Sequence, residues 1–177
     1  MASALRRMAQ EIAAQCGAVE ALVLLGILSR GRPLAERLAQ ELEAMTGQRP
    51  KVGSLATTLY RDDLRSGVRA AKLGGATHFD FDVDGATVII VDDVIAAGRT
   101  ARAAMDEVMD YGRPKRIQLA CLVDRGLREL PIQPDYCGQR MAAGPRGRVA
   151  VMMKETDGED MVLLTEAPGA GGEDGDG

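Results

Sequence analysis

Apolar positions along the chain recur first at helical spacing. Leu5, Met8, Ala9, Ile12, Ala13 and Cys16 predict an amphipathic helix closed by Gly17, with Arg6, Arg7 and Gln10 off its apolar face. Residues 21–27 (ALVLLGI) form an unbroken apolar run, which predicts a strand buried on both faces. A turn ending at Gly31 leads into a helix from Pro33 to Met45, with Leu34, Ala35, Leu38, Ala39, Leu42 and Met45 inward. Pro33 sits near the first helical position, where its missing N–H costs nothing. Residues 52–60 predict a third strand. Residues 61–78 are polar, glycine-bearing and aperiodic, and a loop this long in a compact domain is usually a lid or disordered. Residues 79–84 (FDFDVD) alternate, so they predict a short strand, and Asp84-Gly85 predicts a hairpin turn into the next one.

The next stretch organises the rest. Residues 88–100 read VIIVDDVIAAGRT: a buried strand, two adjacent carboxylates, a short turn at Gly98 and a helix opening near Arg99 and Thr100. Ala101, Ala104, Met105, Val108 and Met109 share that helix's inner face; Gly112 and Pro114 end it. The first N–H groups of a helix have no partner within it, so a strand, tight turn and helix start make a phosphate site. Gly98 lets the backbone approach an anion, Thr100 adds a hydroxyl and Arg99 a charge. Asp92 and Asp93 would repel a phosphate. At a strand's carboxyl end they can accept from sugar hydroxyls, directly or through Mg²⁺. The alternative is a plain strand-to-helix connection carrying a solvated acid pair.

Further on, residues 116–124 (RIQLACLVD) predict another buried strand, delivering Asp124, Arg125 and Gly126 to the same sheet edge. Ser29, Arg30, Gly31 and Arg32 reach that edge from the 21–27 strand. A capping turn there is the alternative. A strand follows at residues 135–138, and another at residues 149–154. Asp157-Gly158 is a hairpin turn, and residues 161–164 are the returning strand. The order argues for an α/β domain with a mostly parallel sheet flanked by helices, ligands along its carboxyl edge, and a small antiparallel hairpin near the C-terminus. The domain spans residues 1–165. Residues 166–177 are an acidic, glycine-rich tail expected to be disordered.

Composition narrows the setting. At 177 residues the chain is one domain, able to bury about 70% of its unfolded surface. No run approaches the roughly 20 apolar residues of a membrane helix, and the N-terminus lacks a secretory apolar region. Three dispersed cysteines, Cys16, Cys121 and Cys137, make neither a metal pattern nor a disulfide framework, which fits the cytoplasm. The lone histidine, His78, reads as surface, so no histidine triad is at hand. Net charge is −4, and the tail carries four acids (Glu166, Glu173, Asp174, Asp176) and no base, so the body is near neutral. A neutral body can still carry a basic face. Arg6, Arg7, Arg140, Arg146, Arg148 and Lys154 are its candidates, or they are ordinary surface charge.

Four segments, GILSRGRPLAERLA (26–39), TLYRDDL (58–64), residues 88–100 and RPKRIQLACLVDRGLRELPIQPDYCG (113–138), resemble the type I phosphoribosyltransferases. The resemblance is closest to the PyrR family of pyrimidine operon attenuation proteins and uracil phosphoribosyltransferases, and covers about residues 5–164. The last segment is the most specific. It implies a type I phosphoribosyltransferase fold converting uracil and phosphoribosyl pyrophosphate (PRPP) to UMP and pyrophosphate, with Mg²⁺ and no organic cofactor. Asp92 and Asp93 would hold the ribose hydroxyls and, through PRPP, the metal. Ala96, Ala97, Gly98, Arg99 and Thr100 would hold the 5′-phosphate, and Ser29, Arg30 and Gly31 the pyrophosphate. Arg61, Asp62 and Asp63 would belong to the lid and Asp124, Arg125 and Gly126 to the base loop. Asp92, Asp93 and Arg30 are the candidate catalytic residues. The resemblance also implies UMP-dependent binding of pyrimidine-operon RNA and a homo-oligomer.

The chain departs from the family's pattern at named places. Ala96 and Ala97 stand where Tyr and Thr are common, Leu127 where His is typical, and Arg6 and Gln10 where Thr and His are usual. A lost Thr hydroxyl on a charged phosphate costs about 1.5–3 kcal/mol, so weakened PRPP binding is expected. An RNA-binding regulator with little catalysis, or a transferase for another base, are the alternatives.

Overall fold

The computed structural model describes residues 1–16, 19–57, 76–142, 144 and 147–165. The expected helix stop at Gly17, the lid residues Arg61, Asp62 and Asp63, Arg146 and the acidic tail lie outside the described residues. α1 (Ala2–Cys16) is followed by a 3₁₀ turn (Val19–Ala21), β1 (Leu22–Ile27), α2 (Gly31–Thr46), β2 (Lys51–Leu55), β3 (Thr87–Ile95), α3 (Arg99–Tyr111), β4 (Arg116–Asp124), β5 (Tyr136–Arg140), β6 (Arg148–Met152), α4 (Lys154–Asp157) and β7 (Met161–Thr165).

The strands β2-β1-β3-β4-β5 form one parallel sheet. Strand period two splits each apolar run between its faces. Leu24, Ile89, Val91, Ala120 and Leu122 pack with α1 and α2. Leu25, Val88, Ile90, Leu119 and Cys121 pack with Ala101, Ala104 and Val108 of α3. α2 and α3 therefore leave the sheet toward opposite faces. They do so from adjacent strands, β1 and β3, which makes this crevice the topological switch point where open α/β sheets take ligands. Gly31 permits the fit: a Cβ there would lie 2.3 Å from the Val91 carbonyl oxygen. Among the described residues no helix is long and apolar enough to cross a membrane.

Expectations shift at several elements, and Met45 and Met109, expected to face inward, are exposed. β3 runs on through Asp92 and Asp93 to Ile95, because Asp92, Val94 and Ile95 keep their register with β4. α2 begins at Gly31, two positions before Pro33, which the unpaired first turn tolerates equally well. Residues 79–84 are no strand. Both flanks of β3 are taken by parallel partners, so no hairpin can form, although the 84–85 turn stands with Gly85 at φ 68°. Just before them, His78 forms an isolated antiparallel bridge to Ser54. β2 ends at Leu55, with residues 58–60 undescribed, and β6 ends at Met152 before the one-turn α4.

β6 and β7 pair antiparallel, Met152 opposite Met161. Val151 and Met153 join the α1–α2 core, which seats this hairpin on the domain. Arg37 of α2 fastens it further, reaching Glu155 at 2.6 Å and Asp160 at 2.7 Å.

Candidate active site

The switch point opens into a cavity of about 180 Å³. Its wall contains Ser29 and Arg30 after β1, Asp92 and Asp93 on β3, Ala96 and Gly98 in the following turn, Thr100 at the start of α3, and Arg125 after β4. The sheet thus brings together residues nearly 100 positions apart. Gly31, Ala97, Arg99, Asp124 and Gly126 do not line it. Thr57 and Val149 do, and neither was singled out from the sequence. Thr57 follows β2, whose parallel register delivers it to the same edge; Val149 comes from the hairpin.

Asp92 is 7% exposed, and its Oδ1 accepts the Asp93 N–H at 3.0 Å. Asp93 is half-buried at the cavity wall. Beyond them the backbone turns sharply, with Gly98 at φ 93° and α3 starting at Arg99. The turn's carbonyls are all taken by donors within the protein. The Arg125 N–H donates to Ile95 O at 2.9 Å, and Arg128 Nη1 to Ala96 O at 2.8 Å. Glu129 and Leu130 N–H both reach Ala97 O at 3.1 Å, and Arg102 N–H reaches Gly98 O at 3.0 Å. Among the described residues the N–H groups of Ala96, Ala97 and Gly98 donate to no acceptor. With the carbonyls occupied, this is the arrangement an anion needs.

Asp124 is turned into its own loop. Its Oδ1 accepts the Gly126 N–H at 2.8 Å and pairs with Arg128 Nη2 at 2.8 Å. Arg125 faces the cavity instead. One arm donates to Gly147 O, while its buried Nε has no acceptor among the described residues. Arg99 pairs outside with Glu129.

Arg30, expected from the sequence to hold an anion, is engaged within the protein. Its guanidinium meets Asp157 at 2.9 and 3.3 Å. Asp157 also accepts the Met153 N–H at 2.8 Å and the Thr156 hydroxyl at 2.8 Å. These two donors, then Arg30, hold its carboxyl down at about 2. Arg30 is the N-cap of α2 and makes no side-chain capping bond. The carboxylates Asp92 and Asp93 are hard oxygen donors of the type Mg²⁺ takes. Among the described residues no group of three or more His, Cys, Asp or Glu could hold a metal. Two carboxylates would leave Mg²⁺ further oxygens to take from a ligand.

The candidate basic face is uneven. Arg6 pairs with Glu41 at 3.2 Å. Arg7 donates to Cys137 O at 3.0 Å and to Gly138 O, and lies 3.6 Å from Glu11. That places α1 beside β5, which carries exposed Arg140; Arg148 and Lys154 are exposed on the hairpin segment.

Comparison with known proteins agrees on fold and kinship. The model of the phosphoribosyl transferase domain family matches residues 1–141. Bifunctional protein PyrR of Thermoanaerobacter sp. (strain X514) is 49% identical over 163 residues, covering 92% of this chain and 91% of that protein. The Streptomyces coelicolor protein of the same name is 47% identical over 173 residues, covering 97% and 89%. Among solved structures, a Trypanosoma cruzi hypoxanthine phosphoribosyl transferase superposes with TM-score 0.67 at 18% identity, covering 93% of this chain and 86% of that one. A Bacillus anthracis hypoxanthine-guanine phosphoribosyltransferase gives 0.61 at 18%, covering 79% and 76%. These structural likenesses speak for the fold alone.

Proposed function

From the premise that this chain belongs to the phosphoribosyl transferase domain family and, within it, to the bifunctional PyrR proteins, we propose that it is a uracil phosphoribosyltransferase. It forms UMP and pyrophosphate from uracil and PRPP, and it also regulates pyrimidine biosynthesis genes by binding RNA in a UMP-dependent way. The observation that carries this reading is the meeting of the Asp92–Asp93 pair, the internally bonded carbonyls around Ala96–Gly98, and Arg30, in one crevice at the β1/β3 switch point.

Each half of an activated pentose finds its chemical complement there. Asp92 and Asp93 accept from the ribose hydroxyls. The amides from Ala96 to Thr100, with the Thr100 hydroxyl, take the 5′-phosphate. Ser29, Arg30 and Gly31 take the pyrophosphate, which draws Arg30 away from Asp157. The 124–126 loop takes the base, with Arg125 Nε supplying a donor. As positive charge builds on the ribose, the neighbouring carboxylates favour it. No general base is needed to begin, which suits a chain whose only histidine is exposed elsewhere. Asp92 and Asp93 would hold Mg²⁺ together with PRPP, and the ion supplies neutralising charge for the departing pyrophosphate. The cytoplasm, where thiols stay reduced, is the fitting compartment, and assembly with copies of itself is part of the proposal.

The test is an assay for UMP with uracil, PRPP and Mg²⁺, run beside other pyrimidine and purine bases. Turnover with uracil is expected. Turnover only with another base overturns the base assignment, and none at all leaves a regulator. The RNA arm predicts binding that strengthens with UMP and falls steeply with salt.

A further inference from the structure

Arg128 touches no cavity-lining side chain, yet it joins the two loops that the ligand needs. Its side chain is only 12% exposed and each of its three nitrogens donates. Nε donates to Ile132 O at 2.7 Å, Nη1 to Ala96 O at 2.8 Å, and Nη2 to Gln133 Oε1 at 3.3 Å and to Asp124 at 2.8 Å. One guanidinium therefore binds both ends of the 124–133 loop and the phosphate-binding turn. Asp124, at 6% side-chain exposure, is almost fully desolvated, so its charge requires this partner. The Glu129 and Leu130 amides extend the seam to the next carbonyl, Ala97 O.

The consequence lies in peptide geometry. A peptide plane fixes its C=O and the following N–H in opposite directions. Holding Ala96 O fixes the peptide that follows it, and holding Ala97 O aims the N–H of the cavity-lining Gly98 the other way. A guanidinium is suited to this because its donors form a rigid planar fork, whereas a lysine reaches one acceptor at a time with a point charge.

We propose that Arg128 is a positioning residue that locks the phosphate-binding turn to the base loop, so that occupancy of either one stiffens the other. The inference rests on the phosphoribosyl-transfer reading of the cavity. Ribose 5-phosphate probes the turn, and inorganic pyrophosphate probes the 28–31 loop, which Arg128 does not contact.

The experiment compares the unaltered full chain with Arg128→Lys and Arg128→Met by calorimetry. Ribose 5-phosphate binding should weaken about tenfold in Arg128→Lys and further in Arg128→Met. Pyrophosphate affinity should stay within about twofold, a split that general loosening of the fold would not produce. In the unaltered protein, saturating ribose 5-phosphate should slow hydrogen exchange at the Glu129 and Leu130 amides. This second measurement stands even if the variants fail to fold. Equal losses for both probes, unchanged ribose 5-phosphate binding in Arg128→Lys, or amide exchange indifferent to the ligand would each overturn the clamp. Unaltered protein that takes up no ribose 5-phosphate would overturn the cavity's assignment along with it. Protein that binds it but makes no UMP refutes the uracil reading and leaves the clamp supported.

Discussion

On the proposed reading the crevice has two stations for an anion, and they are built in different ways. The turn at residues 95–98 leaves a central strand, and its carbonyls are pinned by backbone donors and by Arg128. The loop at residues 28–30 leaves β1, and its cation is already paired with Asp157 of the C-terminal hairpin. The first is preorganised: an incoming phosphate meets amides whose aim is set before it arrives. The second works by exchange, since an anion there must take Arg30 from a carboxylate. The contrast matches what a group-transfer enzyme requires. On the proposed reading, the group that stays would be held by a fixed scaffold, and the group that leaves by an arm with somewhere else to go.

The largest effect should come from the sugar grip between the stations. Asp93→Asn is expected to lower kcat/KM for UMP formation by about 10²-fold. Asp93 is half-buried at the wall, so a melting curve should move little. A loss below threefold would mean that the carboxylate does not face the reacting sugar. Asp157→Asn separates the stations directly. With Arg30 released from its carboxylate, pyrophosphate should bind roughly threefold to tenfold tighter while ribose 5-phosphate stays unchanged. Weaker pyrophosphate binding would show that Asp157 positions Arg30 instead of competing for it.

A smaller effect tests whether side chains matter in the fixed station. Ala96 lines the cavity and Ala97 does not. Ala96→Thr should therefore tighten PRPP by up to about tenfold, whereas Ala97→Thr should change its KM by less than about twofold. The reverse order would place the missing hydroxyl on the other residue. The smallest effect concerns acid. Asp157 and Asp160 both sit near 2, below the ordinary carboxylate value of 3.8. For Asp160 the causes are Arg37 and then the Lys154 N–H. A depressed folded value means that the unfolded chain binds more protons between about 2 and 3.8. The hairpin's attachment is then fully present above about pH 4 and lost as pH falls through 2. The Val151 amide should be well protected from exchange, relative to its intrinsic rate, at pH 5 and lose that protection near pH 2.

What was legible in the chain follows the same division. β4 was readable to its last residue, because RIQLACLVD is a long apolar run between charged ends that both faces of a parallel sheet require. The fixed station was readable because strand, turn and helix lie consecutively in residues 88–100. The hairpin was readable as a hairpin, but Asp157 only as a turn residue, since its partner Arg30 lies 127 positions away. Arg128 reads as one charge in a charged loop; its meaning comes from a chain reversal that brings Ala96 and Ile132 to the same guanidinium. Residues 79–84 misled because alternation also suits aromatic packing. Phe79 and Phe81 stack at 5.3 Å, and Tyr111 sits 4.8 Å from Phe79.

The central claim is that the β3 end grips an activated pentose through acids on one side and amides on the other. Calorimetric titration of PRPP with Mg²⁺ into the unaltered protein, and into an Asp92→Asn/Asp93→Asn double variant, tests it most directly. Saturable one-to-one binding in the first, with at least about a hundredfold weakening in the second, is the predicted result. No heat from the unaltered protein at millimolar PRPP, or equal affinity in both, would contradict it.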